Sequence, residues 1–411
     1  MKNIVLVVGS YYPNYSAVGV CAHNIVNALK SYDVNISVIC QRNDIDEEIE
    51  IVRDEVRIVR VTTPINNFKL RHKNKFRFFF NVVRALRYLQ ALVQKYNVKY
   101  DWIDAYFKQL VNLNSQEPID VIIPCSFPIC SVLSTAKFKQ QFSNVKVLPF
   151  LFDNFVENPD LHRLQINRVL KWKNHISLVT EALSSFDKVL ALHTLRKHFE
   201  DNYPSCIADK IQYVEHPLLI QLNVSNKKNR KNSINLTYTG NFIKGYVDPD
   251  HMIEILTSLI ESRDDISVNL YGGGNCAKQI QKFVSISDAV IDNGFIPYDE
   301  VLGAMAEADF LISVSENNGI QMSSKIFQYM SLGKPIILFY TAQNDCNLEL
   351  LRKYPGLFVI KNNDKSFKLE NLHSFIDRYS SWSIPFDVVQ NLYNDALPSH
   401  VAKIIMTYLN D

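Results

Sequence analysis

SVSENNGIQMSSKIFQYMSLGKPIIL, residues 313–338, decides how the chain reads. An apolar run at 308–314 leads in as a buried strand. A polar loop containing glycine follows at 315–323, then a helix over about 324–332 that Gly333 stops, and Pro335 opens another apolar run. Strand, loop, helix, glycine stop and strand make one repeat of a doubly wound parallel sheet. Such sheets bind ligands at strand carboxyl ends, where the next helix begins. Free N–H groups there, the helix dipole and Lys325 in the first turn favour an anion such as a diphosphate. An ordinary βαβ unit with a polar loop fits the same pattern, and pattern alone leaves both readings open.

Working outward, 411 residues exceed one ordinary core and predict two domains. A hydrophobic content of 47% with 21% charged residues describes a soluble globular chain, and a net charge of +2 implies no bulk polyanion as partner. Cysteines at 21, 40, 125, 130, 206, 276 and 346 never fall in CxxC spacing, which disfavours a zinc knuckle or a disulfide framework. Reduced thiols in the cytoplasm are the simpler expectation. The run at 4–8 is short and closed by Gly9, a strand rather than a signal peptide. No apolar stretch reaches the roughly 18–20 residues that span a bilayer.

Residues 4–8 read as the first parallel strand, ending at Gly9, before a loop at 10–19, a helix over about 20–30 and a strand at 35–40. GxGxxG is absent, so this is no dinucleotide fingerprint. The polar and aromatic loop is either a ligand wall or a packed surface loop. Residues 44–60 alternate Val and Ile among mixed charges, as edge strands do. Within 66–99, Lys69, Arg71, Lys73, Lys75, Arg77, Arg84 and Arg87 interleave with Phe76, Phe78, Phe79 and Phe80, with no acid before Asp101. A basic aromatic helix over 69–87 lying on an anionic membrane surface and a solvated helix packed on the core both fit. Nucleic acid is the poorer reading, because no nucleic-acid module accompanies the run. Strands are expected at 120–124 and 145–152, which puts Ser126 and Asp153 at strand carboxyl ends. Further strands fall at 188–192 and 210–214.

Residues 223–233, NVSNKKNRKNS, read as a linker. A second βαβ series follows, with strands at 234–239, 266–271, 289–291, 310–314 and 357–360, and helices at 250–262 and 298–306. The tail 386–410 is a helical pattern interrupted by Pro398. Two doubly wound domains joined this way leave a cleft, towards which the loops 240–245, 272–274, 294–297 and 315–325 are expected to point. Glycine in these loops admits close backbone approach to a ligand, and Lys244 and Lys325 supply positive charge. The histidines are scattered and form no metal-ligand cluster, and neither a GxSxG elbow nor a Cys–His pair can be assigned.

At this point the residues resemble a family. SSKIFQYMSLGKPII resembles the donor-binding signature of retaining GT-B glycosyltransferases of the family 4 type, found in bacterial polysaccharide gene clusters. LTYTGNFIKG at 236–245, VNLYGGG at 268–274, DNGFIPYDEVLGAMAEADFLI at 292–312 and VGSYYPNYSAVGVCAHNIVNAL at 8–29 add to the resemblance. It implies the GT-B fold: an α/β chain of two doubly wound Rossmann-like domains, at 1–222 and 234–385, with 386–411 crossing back onto the first. It also implies a metal-independent retaining transfer from a nucleotide-diphosphate sugar, UDP- or GDP-linked, with no other cofactor. The acceptor would be a hydroxyl of a glycan or lipid-linked glycan, at the inner membrane face.

Residue by residue, the resemblance gives Lys244 and Lys325 the leaving diphosphate. Gly240, Asn241, Gly272, Gly273, Phe295, Ile296, Pro297, Ser315, Asn318, Gln321, Ser323, Ser324 and Gln328 fall to the donor. Among these, Phe295, Ile296 and Pro297 would hold the base and Gln328 the ribose. Gly9, Ser10 and Gly19 fall to the acceptor side, where Ser126 and Asp153 join them by their place at strand ends; an acid there either binds a sugar hydroxyl or caps the next element. The sequence departs from the family pattern where Gln328 replaces a glutamate, Ile320 a second glutamate, Asn241 an arginine and Ser324 a proline, and where the first-domain histidine near Cys125 is missing. Two rivals follow: a catalytically silent relative acting as a partner subunit or glycan-binding module, and a sugar-nucleotide epimerase on the same fold.

Overall fold

The structure, a computed structural model, describes residues 1–72, 92–158, 165–222, 224 and 233–411. Most of the basic run at 69–87, and of the linker expected at 223–233, lies outside the described residues. The chain divides into two compact units, Met1–Pro217 with Asp395–Asp411, and Leu218–Asn394.

The first unit holds β1 (Lys2–Val7), α1 (Ala17–Leu29), β2 (Val34–Gln41), β3 (Glu50–Arg53), β4 (Val56–Val61) and α2 (Pro64–Arg71). It continues with α3 (Tyr100–Gln116), β5 (Val121–Ser126), α4 (Ile129–Gln141), β6 (Lys146–Val147), β7 (Phe150–Leu151) and α5 (Gln165–Ser184). Next come β8 (Val189–Leu192), α6 (Arg196–Asn202), α7 (Ser205–Ala208) and β9 (Ile211–Val214). The strands order as β3-β4-β2-β1-β5-β7-β8-β9, with β6 beside β5. All pairings are parallel except β3 with β4. Strand order reverses between β1 and β5, the place where ligands meet such sheets.

The second unit runs β10 (Ile234–Thr239), α8 (Asp250–Ser262), β11 (Ile266–Tyr271), α9 (Ala277–Val284), β12 (Val290–Asp292), α10 (Tyr298–Glu307) and β13 (Phe310–Val314). Then follow α11 (Ser324–Ser331), β14 (Ile336–Tyr340), α12 (Cys346–Leu351), β15 (Leu357–Lys361), α13 (Leu369–Tyr379) and α14 (Phe386–Leu392). Its sheet is parallel throughout in the order β12-β11-β10-β13-β14-β15, with the reversal between β10 and β13. Near-continuous apolar strands suit a sheet covered on both faces. Leu236, Val268, Phe310, Ile312 and Ile337 are all inaccessible or nearly so, and Leu256, Leu259 and Phe283 from the helices pack into the same core.

Several expectations are corrected. The helix after β1 starts at Ala17 rather than about 20, because the Ser16 side chain accepts a hydrogen bond from Gly19 N and caps it there. The strand at 145–152 is two short pieces, interrupted around Pro149, which has no N–H for a ladder. Pro398 does not interrupt a helix but opens α15 (Pro398–Asn410), a position that asks for no N–H. The break is a 3₁₀ turn at Asn394–Ala396. Helix α15 packs within the first unit, where Lys146 Nζ donates to Tyr408 O at 3.0 Å and Tyr408 Oη to Val147 O at 3.2 Å.

Candidate functional site

Helix α11 begins at the β10/β13 reversal of the second unit. Its inner face is apolar: Ile326, Phe327, Tyr329 and Met330 are buried. Tyr329 fixes the helix to both central strands, its hydroxyl sharing a hydrogen bond with Thr239 Oγ1 at 2.9 Å and donating to Ile312 O at 3.2 Å. Its outer face carries Ser324, Lys325 and Gln328. The Ser323 hydroxyl makes no capping hydrogen bond, and the first-turn N–H groups of Ser324 and Lys325 find no acceptor among the described residues. This helix start is therefore open, with donors and the positive end of the dipole facing outward.

Lys325 sits 5.8 Å from the centre of the Tyr298 ring and pairs with no carboxylate among the described residues. Burial holds its ammonium below the ordinary lysine range. A desolvated cation without an anion is costly, and an incoming anion would relieve that cost. Tyr298 also accepts a hydrogen bond from Gln328 Nε2 at 2.8 Å, while Gln328 Oε1 is buried without a partner.

The loop before α11 is built from behind. Ser315 is buried, with its hydroxyl donating to Asp345 Oδ1 at 3.1 Å and accepting from Asn347 Nδ2 at 3.1 Å. Ser323 N donates to Asn347 Oδ1 at 2.8 Å, and Asp345 caps α12 by accepting from Leu348 N at 3.0 Å. Gly319 has φ +66°, and a Cβ there would meet the Ala342 Cβ at 2.7 Å, so the turn needs glycine. Asn318 Oδ1 accepts from Ile320 N at 3.0 Å. Gln321 N donates to Glu316 Oε1, and Tyr246 Oη donates to Gln321 Oε1. Asn317 N reaches Tyr246 O at 2.8 Å, which ties the loop after β13 to the loop after β10. Ser315, Asn318 and Gln321 thus shape the loop, and Ser324 and Lys325 are the groups it leaves open.

The glycine loops after β10 and β11 are zipped to each other. Gly240 N donates to Tyr271 O at 2.8 Å, Phe242 N to Gly273 O at 2.9 Å and Asn275 N to Phe242 O at 3.1 Å. Gly273 N donates to Asn241 Oδ1 at 3.0 Å. A Cβ on Gly272 would lie 1.8 Å from Gly240 O, so the close approach here is backbone to backbone. Lys244 is exposed, its backbone N–H held by Asn275 Oδ1 at 2.7 Å. The cavity behind these loops is about 80 Å³, below the roughly 300 Å³ of the smallest ligand pockets. Phe295 is 87% exposed at the edge of the same unit, between Gly294 and the half-buried Ile296, and Pro297 caps α10.

In the first unit, Gly9 is buried, Ser10 half-buried, and Gly19 lies in the first turn of α1. Ser126 is buried and its hydroxyl accepts from Phe152 N at 3.0 Å; the Asp153 side chain is exposed. The intervening loop is held by Arg60 Nη2, which donates to Tyr12 O at 2.9 Å, and by Arg53, 4.1 Å above the Tyr12 ring. Sequence reasoning missed Tyr298, Asp345 and Asn347. Asp345 alone left a signal, an acid directly before a short apolar helix. No group of three or more His, Cys, Asp or Glu side chains among the described residues could hold a metal ion. No described helix is long and apolar enough to cross a membrane.

Residues 233–369 match the family model for glycosyl transferases group 1. A search of curated proteins finds no match. Among solved structures, sucrose-phosphate synthase from Thermosynechococcus elongatus is 12% identical with a TM-score of 0.62, covering 99% of this chain and 99% of that one. WaaG, a glycosyltransferase involved in lipopolysaccharide biosynthesis, is 14% identical with a TM-score of 0.53, covering 98% and 99%. UDP-GlcNAc 2-epimerase from Methanocaldococcus jannaschii is 13% identical with a TM-score of 0.53, covering 99% and 100%. At such identities the likeness is one of fold. Residues 233–369 of the second unit are thus similar to a group 1 glycosyltransferase domain, and the chain is a transferase on the GT-B fold.

Proposed function

We propose that the protein is a metal-independent retaining glycosyltransferase that moves a sugar from a nucleotide-diphosphate donor to a hydroxyl of a glycan or lipid-linked glycan. The observation that carries this reading is the open start of α11, where Lys325 stands desolvated and without a carboxylate partner. The N–H groups of Ser324 and Lys325, the Lys325 ammonium and Lys244 would stabilise the charge that develops on the departing diphosphate. Phe295, Ile296 and Pro297 are assigned to the base, and Gln328 with Tyr298 to the ribose. Gly9, Ser10, Gly19, Ser126 and Asp153 are assigned to the acceptor. The acceptor oxygen attacks the anomeric carbon from the face the diphosphate leaves, and its proton passes to the leaving phosphate oxygen. No enzymic nucleophile is needed. The reaction would be cytoplasmic, at the inner membrane face.

The test is incubation with UDP- and GDP-sugars and lipid-linked acceptors in the presence of EDTA, with the product anomer read by NMR. A product keeping the donor's anomeric configuration is expected; an inverted product, or no transfer from any donor, sinks the proposal. A silent relative is the second reading. It is favoured by Asn241 and Gln328, whose amides stand where the family has charge and are already engaged within the protein. Calorimetry with UDP and GDP separates the two, since a silent module binds neither. An epimerase, the third, would reveal itself by converting the donor sugar without any acceptor.

A further inference from the structure

The loops that follow β1 and β5 carry exposed aromatic rings at the order reversal of the first unit's sheet. Tyr15 is 36% exposed and Phe127 47%. The two loops touch: a Cβ on Gly9 would lie 3.0 Å from Pro128 Cδ and 3.3 Å from Phe127 O. Both rings thus stand at strand carboxyl ends, where parallel sheets meet their ligands. A lone exposed aromatic is ordinary, but Tyr15 is held within an array. Its ring packs edge-on against the buried Tyr11 at 5.3 Å and against Tyr12 at 6.4 Å, and lies 5.0 Å from the His23 ring. Tyr12 is fixed in turn by Arg53, 4.1 Å above its ring, and by Arg60 Nη2, which donates to Tyr12 O at 2.9 Å. A ring braced in this way loses little freedom when a ligand settles on it.

The hydrogen bonds around His23 decide what the Tyr15 hydroxyl has to offer. Asn27 Nδ2 lies 3.0 Å from His23 Nε2; an amide nitrogen only donates, so Nε2 accepts and the neutral ring carries its proton on Nδ1. Burial lowers the His23 pKa and keeps that ring neutral near pH 7. Nδ1 lies 3.3 Å from Tyr11 Oη and 3.4 Å from Tyr15 Oη, so it donates to the tyrosine oxygens. The Tyr15 O–H is thereby left with a proton and no acceptor for it among the described residues. Arg53 is already paired with Asp54 at 3.4 Å, so the array calls for no anion. Flat apolar faces with an O–H donor at one rim suit a pyranose, which has C–H groups on a face and hydroxyls around its edge. We propose that Tyr15 and Phe127 form a stacking platform for a neutral pyranose, the terminal sugar of the acceptor, with the Tyr15 hydroxyl donating to one of its oxygens. Calling this sugar the acceptor rests on the transfer reading above; the platform itself does not. Recognition falls on the sugar ring, so a methyl glycoside without any lipid suffices to occupy it.

Saturation-transfer NMR tests the platform. The probes are the methyl glycosides of glucose, galactose, mannose and N-acetylglucosamine, with the aromatic protons of the full chain irradiated. The C–H protons on one face of at least one glycoside should receive most of the saturation. Tyr15→Ala and Phe127→Ala should each weaken that glycoside at least about fivefold, and Tyr15→Phe about threefold through the lost hydroxyl alone. Tyr15→Phe removes only an oxygen, so it reads the site even if a ring deletion fails to fold. No transfer to any glycoside, or affinities that ignore all three substitutions, would overturn the proposal. Calorimetry of the same variants with UDP and GDP reads the second unit and should not change. A nucleotide affinity that falls with the rings would also overturn it, because the platform would then hold the base. Glycoside binding without any nucleotide binding would leave the platform standing and sink the transfer reading instead.

Discussion

Two loop systems of the second unit carry the same sequence signal, glycines beside a lysine, and use it differently. After β10 and β11 the glycines let two backbones zip together, and the N–H groups of Gly240, Phe242, Gly273 and Lys244 all have acceptors within the protein. After β13 the glycine shapes a turn, and the helix behind it keeps its first N–H groups open beside a half-buried lysine. The first system is a structural seam and the second a receptive end. Glycine content alone does not tell them apart; what the freed backbone faces does.

The sharpest way to break this contrast is Gly272→Ala. A methyl group placed 1.8 Å from Gly240 O forces the seam apart, and a loss of about 3 kcal/mol or more in urea unfolding is expected. An unchanged midpoint would show that the seam is pliable. Lys325→Ala should weaken nucleoside-diphosphate binding by roughly 100-fold in calorimetry, against about tenfold for the solvated Lys244→Ala. Equal losses would erase the distinction between the two loops. Asp345→Ala removes the cap of α12 and the partner of Ser315, at a cost of about 1–2 kcal/mol in stability, with weaker nucleotide binding as a companion effect. Stability lost without any change in binding would uncouple α12 from the receptive end.

The pH dependence of binding sharpens the comparison further. Burial lowers the Lys325 pKa in the free protein, and a bound diphosphate raises it again. Binding therefore takes up a proton between the two values, and affinity falls as pH rises through the lowered one. Calorimetry in buffers of different ionisation enthalpy should report that uptake in the wild type and not in Lys325→Ala. The smallest effect is expected from Gln328→Glu, a gain of about threefold to tenfold in affinity for a ribonucleotide over its 2′-deoxy form if a carboxylate strengthens the contact to ribose.

The parallel strands were legible because they are apolar runs bounded by glycine or polar loops, and those of the second unit, 234–239, 266–271 and 310–314, stand where the pattern put them. Helix α11 and its lysine were legible for the same reason. The support behind it was not, because Asp345 and Asn347 reach Ser315 and Ser323 from some thirty residues downstream, and local pattern carries no such contact. Tyr298 was hidden likewise: its tie to Gln328 joins residues thirty positions apart in the sequence. The glycines of 272–274 were visible, but the demand at Gly272 and Gly274 comes from the Gly240 and Phe242 carbonyls, which only the fold brings near.

Ser315, Gly319, Gln321 and Ser323 are each fastened to residues 345–347, Gly319 through its carbonyl and the Cys346 N–H. The turn ahead of α11 is in consequence already set before any guest arrives, so docking orders the guest and not the host. Capture of a nucleotide then becomes a question of encounter. Loosening the fastening at 345–347 would add the cost of ordering the host to each capture and shorten the guest's stay.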